Sequence, residues 1–196
     1  MTQVFLNYRA ADDPFGVTML DQVLSARFGP DAVFLASKSI PPGADWEREM
    51  FQAVADSAAL LVIMGHNWLD ARNERGQRRL DDPEDFVRRE IITAEELGKR
   101  VIPVRLGVPR LAAGAYPPEL RVLAGKQDIE IRFRSARIDV EHLVAKLREH
   151  IPALRRAAPG EKSPAKFAVH GERIGQVTQA ERFTVHGDFN AGLPPA

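Results

Sequence analysis

Over residues 1–151 the chain changes hydrophobic period again and again, and this alternation limits its fold more than any single motif does. Five short runs, "QVFLNY", "AVFLA", "AALLVIMG", "RVIPVRL" and "QDIEIRF", have the apolar, β-prone composition of strands buried on both faces. Between them lie stretches with apolar residues three and four apart. In "VTMLDQVLSARF" these are Val17, Leu20, Val23, Leu24 and Phe28. In "ADWEREMFQAVADS" they are Trp46, Met50 and Val54, and in "DVEHLVAKLREHI" they are Val140, Leu143, Val144, Leu147 and Ile151. Strands that alternate with helices pair in parallel, because each helix carries the chain back to the start of the next strand. The pattern therefore predicts a parallel sheet covered by helices on both faces, with "AALLVIMG" near its centre. "SKSIPPG" is expected to be a loop set by two prolines and a glycine, "NERGQRRL" a solvated insert, and "PPELRVLAG" a short helix. Asp82 is expected to cap the helix that begins nearby, with Pro83 at its first position.

Five strands in this length predict an α/β, flavodoxin-like sheet, with ligands at the carboxyl ends of the strands. That domain accounts for residues 1–151 of 196. Residues 152–166, including "RRAAPGEKSPAK", lack periodicity and are expected to be a flexible linker. The tail, 167–196, holds a sixteen-residue repeat: "FAVHGER" from Phe167 and "FTVHGDF" from Phe183. Apolar residues fall on alternate positions in each copy, as in a β-strand. Three readings of the tail stay open: strands stacked across many chains, a disordered segment, or a hairpin docked on the domain edge.

Composition excludes several classes. The 27 basic and 27 acidic side chains balance, so there is no electrostatic case for nucleic acid or an anionic membrane as partner. The absence of cysteine removes disulfides and thiolate metal sites. His66, His142, His150, His170 and His186 show no metal-ligand spacing, so no metal is expected. The N-terminus lacks the pattern of a signal peptide, and no apolar stretch is long enough to span a bilayer, so a cytoplasmic location is expected. There is no Gly-rich phosphate loop, no dinucleotide fingerprint and no nucleophile elbow. Phospho-accepting receivers share this winding but need an aspartate where this chain has Met64 and Gly65.

One residue breaks the pattern. In "DFVRREIITAEEL", with Phe86 at zero and about 100° per residue, Phe86, Leu97, Ala94, Val87 and Ile91 fill an apolar arc of roughly 140°. Arg88, Arg89, Glu95 and Glu96 fall outside it. Glu90 sits at about 40°, the only charge within the arc. A carboxylate there needs a partner or a cleft. A salt bridge to Arg9 or Arg105 is one answer.

The ordered signals "VFLNYR", "FLASKSIPPGADW", "LLVIMGHNWL" and "DFVRREI" before "GKRVIPV" together resemble a TIR (Toll/interleukin-1 receptor) domain of bacterial type, over residues 2 to about 150. In that family "SKSIPPGADW" would be the mobile BB loop. Some members are adaptors. Others cleave NAD+ at the nicotinamide–ribose bond and share a Trp-x-x-x-Glu segment, which reads here Phe86-Val87-Arg88-Arg89-Glu90. The glutamate is kept, while phenylalanine replaces the tryptophan.

The resemblance implies a second answer for Glu90, a catalytic carboxylate. Nicotinamide leaves as a neutral heterocycle, so no general acid is required. One carboxylate suffices to stabilise or trap the cation that develops on the ribose. The implied function is an NAD+ glycohydrolase acting in bacterial antiviral defence or cell death, with NAD+ as substrate and no cofactor. Its product, ADP-ribose, a cyclic form or a base-exchange product, stays open. The alternative is a non-catalytic scaffold that signals by homotypic TIR–TIR assembly. Expected substrate-binding residues are Tyr8 and Arg9 at the end of the first strand, Ser37 and Lys38 of the loop, Phe86, and Trp46. For Trp46 and Trp68 a core role competes with that of a pocket wall. The tail resembles the short glycine-containing amyloid signalling motifs of bacterial immune effectors. It implies an NTPase sensor with a matching motif as partner.

Overall fold

A computed structural model describes residues 2–155. Five parallel strands form one sheet in the order β2-β1-β3-β4-β5. They are β1 (Val4–Asn7), β2 (Val33–Phe34), β3 (Ala59–Met64), β4 (Arg100–Leu106) and β5 (Ile129–Ile131). This is the flavodoxin-like winding that the alternation predicts. All six residues of the central strand β3 are buried. The helices are α1 (Pro14–Phe28), α2 (Ala36–Ser39), α3 (Trp46–Asp56), α4 (Phe86–Glu96), α5 (Val122–Gly125), α6 (Ala136–His150) and α7 (Pro152–Arg155).

Strand parity divides the core into two layers. Val4 and Leu6 of β1 and Leu61 and Ile63 of β3 meet α1 and α6, including the predicted stripe Val140, Leu143, Val144, Leu147 and Ile151. Phe5 of β1 and Leu60, Val62 and Met64 of β3 meet α3 and α4. Successive side chains of a strand point to opposite faces, so this partition follows from the pleat.

Three aspartates start three helices. Asp13, Asp45 and Asp85 accept from the backbone N–H groups of Gly16, Arg48 and Arg88, at 2.8, 3.2 and 3.1 Å. Each satisfies an amide the helix leaves unpaired. The expected cap at Asp82 is therefore corrected to Asp85. Asp82 instead accepts from Glu84 N–H at 3.0 Å, within the turn that precedes α4.

Other differences are local. The loop expected at "SKSIPPG" begins with the helical turn α2, and Gly43, at φ 84°, takes a left-handed conformation beyond it. The insert "NERGQRRL" folds back on itself: Arg72 bridges Arg78, Asn73 Oδ1 accepts from the amides of Arg75 and Gln77, and Leu80 at its end is fully buried. Leu154 of α7 is buried against the α1–α6 layer, so packed structure reaches into the segment expected to be linker. The remainder of that linker and the repeat-bearing tail, 167–196, lie outside the described residues.

Candidate active site

The carboxyl end of β1 carries three polar residues in a row, and parity sends them apart. Asn7 follows Phe5 onto the α3–α4 face, while Tyr8 packs against the α1–α6 layer. Asn7 is fully buried. Its Nδ2 donates to Glu90 Oε2 at 2.7 Å and to the Val87 carbonyl at 3.0 Å. Glu90 is 6% exposed and lies on the inner face of α4 with Val87, Ile91 and Ala94. The apolar arc thus predicts its burial correctly. Neither Arg9 nor Arg105 pairs with it, which corrects the salt-bridge reading. Arg105 is engaged by Asp128 at 3.3 Å and Glu130 at 3.5 Å.

Burial pushes the Glu90 carboxyl up to about 8, because desolvation penalises its charged form. The Asn7 hydrogen bond opposes this, Asp85 adds to it, and Arg9 lowers it slightly.

Arg9 is 4% exposed and forks onto Asp85, with Nη1 and Nη2 at 2.9 and 2.8 Å from its two oxygens. Its Nε also donates to the Trp68 carbonyl at 3.2 Å. Arg9 was expected among the substrate-binding residues; in the structure its fork is filled by the Asp85 carboxylate. Asp85 also accepts from Arg79 Nε at 3.2 Å while capping α4. Asp12, from the loop after β1, accepts from Gly65 N–H at 2.6 Å and Asn67 N–H at 2.7 Å, joining the ends of β1 and β3. A Cβ on Gly65 would stand 2.7 Å from Asp12 Oδ1, so a side chain there would displace the Asp12 carboxylate from this approach.

An aromatic wall stands beside this network. Trp46 meets Phe86 edge-on, with ring centroids 4.5 Å apart. Phe86 lies four residues before Glu90, hence on the same side of α4. Arg89 lies over the rings of Phe51 and Phe86 at 4.7 and 5.2 Å, and it pairs with Glu47 at 2.6 Å. Trp46 is 43% exposed, so it is no core anchor. Trp68, 1% exposed, is the core tryptophan.

The expected site thus separates. Glu90, Phe86 and Trp46 gather on or beside α4. Tyr8 turns to the opposite layer. Lys38 pairs with Asp21 of α1 at 2.5 Å, and Ser37 beside it is exposed. Arg88, expected outside the arc, is buried, donating to the Leu80 carbonyl at 3.1 Å and pairing with Glu119 at 3.0 Å. Leu97, expected inside it, is half exposed. Sequence reasoning missed Asn7 and Asp85. A polar residue closing an apolar strand was the signal for Asn7.

The matches to known proteins agree with this architecture. Residues 4–150 match the family model described as TIR domain. No curated protein matches the sequence. Among solved structures, the TIR domains of the activated Roq1 resistosome, which directly recognizes the pathogen effector XopQ, align with a TM-score of 0.58 at 14% identity. That alignment covers 75% of this chain and 99% of the other. A metazoan TIR-STING receptor from C. gigas, in complex with 2',3'-cGAMP, aligns at 0.47 and 18% identity over 70% of this chain and 38% of its own. At 14% identity the likeness to the Roq1 TIR domains is one of fold. Among the described residues no helix is long and apolar enough to cross a membrane.

Proposed function

The chain belongs to the TIR domain family, and from that footing we propose that it cleaves NAD+ at the nicotinamide–ribose bond, with Glu90 as the catalytic residue. One observation carries the reading. A carboxyl is held away from water at the carboxyl end of a parallel sheet and, among the described residues, has a single side-chain donor and no arginine or lysine bonded to it. A carboxyl placed for stability alone would be expected to carry a cationic partner. One placed to meet a developing cation keeps that position open.

The chemistry follows. The C1'–N1 bond of NAD+ breaks, its electron pair leaves with nicotinamide, and positive charge spreads over C1' and the ring oxygen of the ribose. Ionised Glu90 stabilises that charge or bonds to C1'. Water then attacks C1' and loses a proton, giving ADP-ribose; an internal or added base in place of water gives a cyclic or exchanged product. No cofactor enters. The aromatic wall supports the same reading: Trp46 from α3 brings an indole against Phe86, where the family segment has its tryptophan on α4.

Glu90 is nearly closed off from solvent, so substrate entry requires the surrounding elements to move. This fits activation by homotypic assembly, in which the loop at Ser37–Gly43 of one copy packs on the next, nucleated by the tail and a partner NTPase sensor bearing a matching motif. We place the protein as a cytoplasmic effector of bacterial antiviral defence. The same closure favours a second reading, a scaffold that signals by assembly without turnover. Nicotinamide release from NAD+, followed over a range of protein concentrations, separates the two. The full chain should release nicotinamide, and Glu90→Gln should slow it by about a hundred- to a thousandfold. Equal turnover by folded Glu90→Gln would overturn the assignment, and no turnover by the assembled wild type would leave the scaffold.

A further inference from the structure

Asn7 is bonded so that only one face of its amide can meet Glu90. Nδ2 spans the Val87 carbonyl and Glu90 Oε2, at 3.0 and 2.7 Å. A backbone carbonyl can only accept. Turning the amide over would aim Oδ1 at that carbonyl and at the carboxyl, oxygen against oxygen. The donor orientation is therefore fixed, and it is kept although it leaves Asn7 Oδ1 buried without a hydrogen-bond partner. A buried orphan acceptor is destabilising, so an arrangement that tolerates one calls for another reason.

We propose that Asn7 is the positioning residue of the active site: it clamps one carboxylate oxygen of Glu90 through Nδ2, aims the other at the ribose, and favours the ionised carboxylate over the acid. The inference rests on the NAD+ cleavage reading. A donor that cannot become an acceptor bonds a carboxylate more strongly than a neutral acid. It thereby opposes the desolvation that raises the Glu90 carboxyl to about 8. The charged groups that act on Glu90 are Asp85 on its own helix, which favours the acid, and Arg9 from the end of β1, which favours the carboxylate. Arg9 is committed to Asp85, so Asn7 is the direct donor.

The test uses the full chain with Asn7→Leu, close in shape but without a donor, and Asn7→Ser, smaller and still a donor. Two measurements are made: the pH profile of nicotinamide release, and the Glu90 carboxyl titration followed by carbon NMR, which needs no turnover. In Asn7→Leu the acid limb and the titration should both move up by about one pH unit or more, and kcat at neutral pH should fall about ten- to a hundredfold with KM within about twofold. Asn7→Ser should lie between, and it carries the test alone if Asn7→Leu does not fold. A folded variant with the wild-type titration and profile overturns the proposal. A titration that moves while the wild type shows no cleavage retires the NAD+ reading and leaves the hold of Asn7 on Glu90 intact.

Discussion

At the scale of single residues, a carboxyl moved out of water makes stability depend on pH in an unusual direction. Glu90 titrates near 8 in the fold and near its ordinary 4.5 when the chain is unfolded. Between those values the folded protein keeps a proton that the unfolded chain has released. Stability from this group is full below about 4.5 and is lost as pH rises through about 8, the reverse of a salt-bridged carboxylate. Glu90→Gln keeps the shape and cannot ionise. Its stability should therefore lack this fall, and at pH 8.5 it should exceed the wild type by roughly 4–5 kcal/mol. Urea unfolding of both proteins at pH 5 and pH 8.5 checks this. Parallel pH dependences would mean that Glu90 is hydrated in solution. Such a mutant, more stable yet inactive, is the behaviour of a residue kept for chemistry at the expense of the fold.

At the scale of elements, the same region depends on Asp85, which caps α4 and pairs with Arg9 from the end of β1 and with Arg79. Asp85→Ala removes the cap and leaves the Arg9 guanidinium buried without its carboxylate. A loss of about 3–5 kcal/mol is expected, against about 1 kcal/mol for an exposed cap alone. A denaturant midpoint close to the wild type would show that Arg9 finds water or another partner. The parallel sheet covered on both faces and the central place of "AALLVIMG" were legible in the sequence because short apolar runs differ sharply from stretches with helical spacing, over five runs and five helical stretches. Parity alone also separates Tyr8, which faces with Val4 and Leu6, from Asn7, which faces with Phe5. The Arg9–Asp85 pair was not legible, since its partners lie 76 residues apart and only the folded sheet brings them together. Arg88 was misjudged for a similar reason. The insert around Leu80 and the turn carrying Glu119 close over a helix face that the helix's own periodicity marks as outward. For the cap, Asp82-Pro83 and Asp85 both carried helix-start signals, and tertiary pairing with Arg9 favours the second.

At the scale of the whole molecule, the proposed activation by assembly predicts how the rate depends on concentration. If a neighbouring copy completes each site, dilute protein should be nearly inactive, and nicotinamide release should rise faster than linearly with concentration. Gly43→Pro tests the loop: proline cannot adopt the φ of 84° seen there, and the position is exposed with no neighbouring atom near its Cβ, so the core should be spared. The melting temperature should change little while the steep concentration dependence is lost. The tail offers an independent lever. Its two copies of the Phe-x-Val-His-Gly pattern, from Phe167 and Phe183, suit stacking of identical segments with Val and Phe in dry layers. A peptide of residues 165–193 should then form fibres with the ~4.7 Å cross-β spacing, and the same peptide carrying Val185→Pro should not, because proline removes a donor from the ladder. In the full chain Val185→Pro should shift the onset of nicotinamide release to higher concentration while leaving Glu90 chemistry unchanged once the protein is crowded on a surface. A peptide that stays soluble with preformed seeds, together with a rate strictly proportional to concentration in a monomeric protein, would remove assembly from the mechanism and require each TIR domain to open its own site.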